Sequence, residues 1–411
     1  MLLSDLRSDG KLQVEDEADM GSADGAIGVI GGGQLARMLT EAAALRGIDV
    51  LVQTSSEADC AVPASTRWVQ ALPTDQDATR DLARDCGGIT FENEWVTVDA
   101  LMPLERQGVT FVPSLASLVP LVNKLSQRRL LDDLSIPSPR WICLAEINPG
   151  SPALPPGWTF PVMAKAASGG YDGKGTRILE NLNDLAHHLR NVRAQDWLLE
   201  SWVNFERELA LVVSRDRQGR IRHLPLVETH QSHQICDWVL APAEAEPLLE
   251  ATAYNIAASL LTRLGYVGVM ALEFFYGQEG LFVNEIAPRT HNSGHFSIEA
   301  CSSSQFDQQL CITAGLPVPS IELVVDGALM VNLLGLQDAA ADGHDHNLQD
   351  RLARLRSIAN AHVHWYGKQE LPGRKVGHVT VVLREEHAET RRQMAMTALN
   401  QIREVWPNPL N

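Results

Sequence analysis

Two apolar runs near the middle of the chain, GVMALEFF at Gly268–Phe275 and GLFVNEIAP at Gly280–Pro288, flank a turn at Gly277–Gly280, and each carries one glutamate. Runs bounded in this way read as the two strands of a β-hairpin. The midpoint of Glu273 and Glu285 is Glu279, inside the turn, so simple registry sets the two carboxylates nearly opposite each other. Glu273 lies among Val269, Met270, Leu272, Phe274 and Phe275, where a charge is costly unless it is paired or coordinated. Facing like charges repel, and a bound divalent cation keeps both ionised. Mg²⁺ shared with substrate phosphates fits this oxygen-ligand pair better than zinc. The alternative is a register shift that exposes one carboxylate to solvent.

Upstream, FPVMAKAASGGYDGKGTRI places Lys165 at the end of an apolar strand, followed by Gly169, Gly170, Gly173 and Gly175. No GxxxxGK[ST] loop fits: Ser168 occupies the first glycine position, and Gly175 follows Lys174 where Ser or Thr is required. What remains is a glycine hairpin able to fold over a triphosphate with bare amides, or a surface hairpin without a ligand. In LLESWVNFERELALVV, Glu200 ends another apolar stretch and Glu208 opens the next. A carboxylate accepts two ribose hydroxyls, and the main chain after Glu200 offers groups to an adenine edge. With Lys165, the glycine hairpin and the paired carboxylates, these complete an ATP site.

At the start of the ordered pattern, Gly31, Gly33 and Ala36 match GxGxxG/A, in which glycines let a phosphate approach a helix N-terminus. A dinucleotide site also wants Asp or Glu at the end of the second strand, where this chain has Gln53 and Thr54. A tight turn without ligand stays open. The favoured expectation is a phosphate or substrate contact through the turn amides and Gln34.

The 411 residues include 34 Lys plus Arg against 51 Asp plus Glu, a formal charge of −17. That balance argues against a general nucleic-acid or anionic-membrane binder, which needs a basic footprint. The longest apolar candidate, Ile321 to Leu336, is broken by Glu322, Asp326 and Asn332 and falls short of the roughly 18 to 20 residues of a membrane span. Asp5, Arg7 and Asp9 stand where a signal peptide needs apolar residues, and six cysteines form no CxxC pair. The expected location is the cytoplasm.

Residues 1–24 read as an acidic tail. Strands at Ile27–Ile30, Ile48–Val52, Val69–Leu72, Gly88–Phe91 and Val109–Val112, with a helix at Gln34–Arg46, make an open α/β, Rossmann-like domain over 25–120. A Lys/Arg-rich helix between Asn123 and Leu134 and a Pro-rich linker, Pro149–Pro156, lead into a long α+β section over 121–316, with antiparallel strands and a lid over 135–205. Strands at Ala328–Leu334, Ala361–Trp365 and Gly377–Leu383 and a helix at Glu389–Val405 make a small β-rich domain over 317–411.

The order of these parts resembles the ATP-grasp superfamily, and the finer motifs resemble its N5-carboxyaminoimidazole ribonucleotide synthases of purine biosynthesis. The resemblance runs from Gly28 to Val382. Its specific pieces are GGGQLARM at 31–38, FENEWV at 91–96, GGYDGKG at 169–175, GYVGVMALEFF at 265–275, NEIAPRTHNSGH at 284–295 and HWYGKQELPGRKVGHV at 364–379. It implies an ATP-grasp fold and an ATP- and bicarbonate-dependent carboxylation. Bicarbonate attacks the γ-phosphoryl group, carboxyphosphate forms, and the amine of 5-aminoimidazole ribonucleotide captures the activated carbon, as CO₂ or from carboxyphosphate itself. Mg²⁺, with Mn²⁺ as the alternative, and a homodimer are implied with it.

By resemblance, Lys165 and the hairpin residues Gly170, Tyr171, Asp172, Gly173, Lys174, Gly175 and Thr176 hold the phosphates. Glu200, Ser201, Trp202, Val203 and Glu208 hold adenine and ribose, Glu273 and Glu285 hold the metal, and Asn284 and Glu285 also bind ATP. On the substrate side stand Gln34, Glu92, Lys174, Arg289, His291, Asn292 and Ser293. Tyr171 and Asp172 close over the imidazole, and Arg289 stabilises charge on the phosphoryl group; with Lys165 these are the expected catalytic residues. Lys368, Arg374 and Lys375 bracket the Pro372–Gly373 turn and are expected to grip the ribonucleotide phosphate. His364, Trp365 and His378 are read as core.

Ala287 stands where many ATP-grasp enzymes place a metal-ligating Asn, in agreement with the carboxyaminoimidazole group. In ETHQSHQICDW either Gln231 or His233 meets the nucleotide, and in the basic helix either Lys124 or Arg128 does. A formate-dependent glycinamide ribonucleotide transformylase is the closest rival. A biotin carboxylase, a non-catalytic nucleotide-binding regulator and a Rossmann oxidoreductase are further alternatives.

Overall fold

A computed structural model describes residues 25–170, 175–336 and 347–410. The acidic tail and Tyr171, Asp172, Gly173 and Lys174 lie outside the described residues. Near the N-terminus, β1 (Ala26–Ile30), β2 (Val50–Thr54), β3 (Arg67–Gln70) and β4 (Cys86–Phe91) form a parallel sheet in the order β3-β2-β1-β4. Parallel pairing requires crossovers, supplied here by helices Gln34–Ala44 and Gln76–Ala83. The strand expected at Val109–Val112 is only a bridge: Ile89 N–H donates to Thr110 O at 2.9 Å and Val112 N–H to Ile89 O at 2.8 Å. Pro113 follows, with no N–H to extend the ladder.

A second, antiparallel sheet runs β5-β8-β6-β7, from β5 (Trp141–Cys143), β6 (Val162–Ala166), β7 (Thr176–Leu179) and β8 (Trp197–Ser201). The Pro-rich stretch 149–156 joins β5 to β6, so it is a loop within this sheet and not a linker ahead of it.

The third sheet has nine strands: β9 (Arg207–Arg215), β10 (Ile221–His223), β11 (Val227–Ser232), β12 (Ile235–Ala241), β13 (Gly268–Gly277), β14 (Gly280–Ala287), β15 (Gly327–Leu334), β16 (Ala361–Trp365) and β17 (Lys375–Leu383). Their order is β14-β13-β9-β11-β12-β15-β17-β16, with β10 on β9. The C-terminal strands thus continue this sheet, since Trp238 of β12 pairs with Val331 of β15. Every residue of β15 and β17 is buried, a state that central strands covered on both faces reach.

Helix Gln305–Ala314 locks the first sheet onto the third. Gln309 Oε1 accepts from Val269 N–H at 2.7 Å, and Gln309 Nε2 donates to Thr90 Oγ1 at 2.9 Å. The approach is so close that a Cβ on Gly88 would lie 2.5 Å from Thr313 O. This contact fixes the N-terminal glycine turn relative to the carboxylate hairpin.

Candidate active site

The hairpin register pairs Glu273 with Glu285, and a bulge follows between Glu273 and Phe274. Lys124, the first residue of helix Lys124–Asp133, donates to Glu285 Oε1 at 2.6 Å. That helix starts where it does because the Asn123 side chain accepts from Leu125 and Ser126 N–H. Burial and then the facing Glu285 raise the Glu273 carboxyl to about 7. Burial would raise Glu285 too, but the Lys124 ammonium outweighs it and holds that carboxyl down to about 2.

Glu273 also pairs laterally with Ala210 of β9, so Glu208, two residues away, shares its face. Burial and then Glu273 raise Glu208 to about 8, partly offset by a hydrogen bond from the Gln231 main chain. Gln231 therefore borders this carboxylate, while His233 sits at the β11–β12 turn with φ 49°. Among the described residues no third acid, His or Cys joins a group able to hold a metal. The chain offers two hard oxygen ligands, Glu273 and Glu285, and a cation there would complete its shell with phosphate and water; this donor set fits Mg²⁺.

Glu200 sits between two cations. Arg128 Nε donates to its Oε1 at 2.6 Å, and Lys165 Nζ lies 2.8 Å from its Oε2. Burial alone would raise the carboxyl, yet the two cations hold it down to about 2. Each oxygen of Glu200 meets a cation, whereas Glu208 has no cation paired to it among the described residues. Arg128 is committed to Glu200, and Lys124 is the helix cation at the carboxylate hairpin. Lys165 also donates to Asn284 Oδ1 at 3.0 Å, tying the glycine-hairpin strand to the metal strand. Burial lowers the Lys165 ammonium, and Glu200 opposes that. Ser201 ends β8, and Trp202 and Val203 continue past it, with Trp202 exposed. At the far side of the hairpin, Thr176 Oγ1 bonds Gln234 Oε1.

After β14, Arg289 Nε contacts Glu94 Oε2 at 2.5 Å, with Nη2 to Oε1 at 3.4 Å. Glu94 was not singled out from the sequence; its signal was the second carboxylate of FENEWV. His291 Nδ1 is 2.9 Å from Ser293 Oγ, and its Nε2 is 3.5 Å from Glu273 Oε1. Burial, then Arg289 and Lys375, lower His291 to about 3, so it is neutral. Asn292 exchanges a reciprocal amide pair with the fully buried Asn332 of β15, at 2.9 and 2.7 Å.

The N-terminal glycine turn packs against Glu92. A Cβ on Gly33 would lie 2.3 Å from Glu92 Oε1, and one on Gly31 2.6 Å from Glu92 Cβ. The missing side chains make room for a carboxylate, which would repel a phosphate at the same place. Gln34 instead accepts from Lys368 Nζ, uniting residues from the two ends of the chain. The expected basic cluster is divided, however. Lys375 is buried and its charge acts on Glu273 and His291, whereas Arg374 is exposed. Neighbours entering a strand point to opposite faces. The half-buried His364 stacks on the buried His378, whose Nδ1 lies 2.7 Å from the Tyr366 hydroxyl.

Comparison with known proteins covers most of the chain. Residues 25–120 match the ribonucleotide synthetase preATP-grasp domain, 129–306 the ATP-grasp domain, and 328–393 the phosphoribosylaminoimidazole carboxylase C-terminal domain. The chain is 44% identical over 384 residues to an N5-carboxyaminoimidazole ribonucleotide synthase of Synechococcus elongatus, covering 93% of this chain and 96% of that protein. The Aspergillus clavatus carboxyaminoimidazole ribonucleotide synthase solved with ATP superposes with a TM-score of 0.81 at 31% identity, over 93% of this chain and 100% of that one. A structure of the enzyme from the same organism with ADP and 5-aminoimidazole ribonucleotide gives 0.80 at 31% identity, over 92% and 99%.

Proposed function

The chain belongs to the N5-carboxyaminoimidazole ribonucleotide synthase family of ATP-grasp ligases, and from that premise we propose how its own residues serve the reaction. The protein is an ATP-dependent carbon–nitrogen ligase of purine biosynthesis that forms N5-carboxyaminoimidazole ribonucleotide from 5-aminoimidazole ribonucleotide. Bicarbonate is the carboxyl source. One observation carries the reading of the site: Glu273 and Glu285 face each other on the sheet face that also bears Glu208, with Lys165 one hydrogen bond away through Asn284.

Glu273 and Glu285 hold Mg²⁺, which neutralises phosphate charge when bound. Lys165 binds phosphate oxygens, and Glu208 accepts from the ribose. Arg289, oriented by Glu94, presents a fixed positive charge to the phosphoryl group as bicarbonate attacks, an arrangement that needs no reorganisation during the step. His291, neutral, orients substrate by hydrogen bonding with Asn292 and Ser293. Gln34 and Lys368 bind the ribonucleotide, with Glu92 beside them. Tyr171, Asp172 and Lys174, expected by resemblance to serve the substrates, lie outside the described residues.

No helix among the described residues is long and apolar enough to cross a membrane. The enzyme acts in the cytoplasm as a homodimer, which sedimentation of the purified chain checks. The activity is tested by ADP release. It should accelerate with aminoimidazole ribonucleotide plus bicarbonate and not with glycinamide ribonucleotide plus formate; the reverse pattern contradicts the assignment.

A further inference from the structure

β14 is an edge strand, and side chains of helix Lys124–Asp133 stand where a neighbouring strand would pair. Gln127 Nε2 donates to Ile286 O at 3.0 Å and Gln127 Oε1 accepts from Ile286 N–H at 3.3 Å, as a paired strand residue would. One position on, Arg128 Nη1 donates to Val283 O at 3.1 Å and Nη2 to Asn284 O at 2.7 Å. The third nitrogen, Nε, reaches Glu200 of β8 at 2.6 Å. The same guanidinium, 3% exposed, thus grips the strand that carries Asn284 and Glu285 and the sheet that carries Lys165. Glu200 completes the circuit through Lys165, which returns to Asn284.

We propose that Arg128 is a positioning residue for the ATP-dependent step, its planar fork setting the distance between the glycine-hairpin sheet and the metal-bearing edge strand. The inference rests on the ATP-binding reading of Lys165 and Glu285. A guanidinium suits the task because its donors are fixed in one plane and serve acceptors on two sheets together. A lysine at 128 keeps the charge opposite Glu200 but concentrates its donors on one atom, so it cannot hold all three partners. Glu200 acts here as the counter-charge that keeps Arg128 and Lys165 in register.

Arg128→Lys and Arg128→Met in the full chain separate positioning from mere stability. The readouts are Mg·ADP affinity by calorimetry, KM for ATP, KM for aminoimidazole ribonucleotide, and Tm. Positioning predicts that Arg128→Lys weakens Mg·ADP binding and raises KM for ATP by about tenfold or more, with KM for the ribonucleotide within about twofold. Arg128→Met goes further in the same direction; should it fail to fold, Arg128→Lys carries the measurement. Mg·ADP affinity within about twofold of the parent overturns the proposal, as does a rise in both KM values in step with lost Tm. If the parent chain binds Mg·ADP yet releases no ADP with aminoimidazole ribonucleotide and bicarbonate, the acceptor reading fails, while the calorimetry still decides the role of Arg128.

Discussion

Glu200 and Glu273 are carboxylates of the same site, on neighbouring sheets, and their surroundings treat them in opposite ways. Glu200 meets Arg128 and Lys165 and is held down to about 2. Burial and the facing Glu285 raise Glu273 to about 7, and burial and Glu273 raise Glu208 to about 8. One end of the site is saturated with positive charge from the chain itself and has structural work to do. At the other end Lys124 compensates Glu285 alone, and no lysine or arginine is paired with Glu273 or Glu208 among the described residues, which is unfavourable in isolation and becomes favourable when a cation and a nucleotide arrive. Buried charge without compensation is a cost that function, not stability, explains.

The largest effect that would break this contrast is on catalysis. Glu273→Gln removes a metal ligand and should lower the rate of ADP formation on the order of 10³-fold, equivalent to several kcal/mol. The same change relieves repulsion, so Tm at neutral pH should hold or rise; a folded Glu273→Gln variant with near-normal turnover contradicts the assignment. Glu200→Gln should do the reverse to stability. Two buried cations lose their anion, and unfolding free energy should fall by about 3–5 kcal/mol in denaturant titration. A variant as stable as the parent would show that the pair is not compensated as described.

Protonation sharpens the contrast. The Glu208 carboxyl is raised from 4.5 to about 8, so the stability it contributes is full below 4.5 and lost as pH rises through about 8. Glu208→Gln should therefore raise Tm at about pH 9 and leave it unchanged near pH 4. Glu200, lowered from 4.5 to about 2, has the opposite sign: its contribution is full above 4.5 and lost as pH falls through about 2. Parallel pH profiles for the two neutralised variants would erase the distinction.

The smallest effects concern the substrate phosphate. Lys368→Ala should raise KM for aminoimidazole ribonucleotide about tenfold while leaving KM for ATP unchanged. The exposed Arg374→Ala should change it by less than about threefold. Equal effects at both positions would restore the single basic cluster that the sequence suggested.

The carboxylate hairpin was legible because its evidence is local: two apolar runs, one turn and a midpoint fix the register of Glu273 on Glu285. Lys165 at a strand end before a run of glycines was legible for the same reason. The charge compensation was not. Arg128 and Glu200 lie 72 positions apart and Arg289 and Glu94 lie 195 apart, so only the folded chain shows which cation meets which acid. At the N-terminal turn glycine reports that something approaches closely, and only the folded chain shows that the carboxylate of Glu92 stands there. The C-terminal strands were each recognisable, yet their junction with β12 rests on an open edge that no local pattern marks.

Anomalous diffraction from crystals grown with Mn²⁺ and ADP tests the central claim most directly. A manganese peak bonded to the carboxylates of both Glu273 and Glu285, with Glu200 still held by Arg128, is the predicted result. A peak bonded to Glu200, or one touching neither hairpin glutamate, would contradict it.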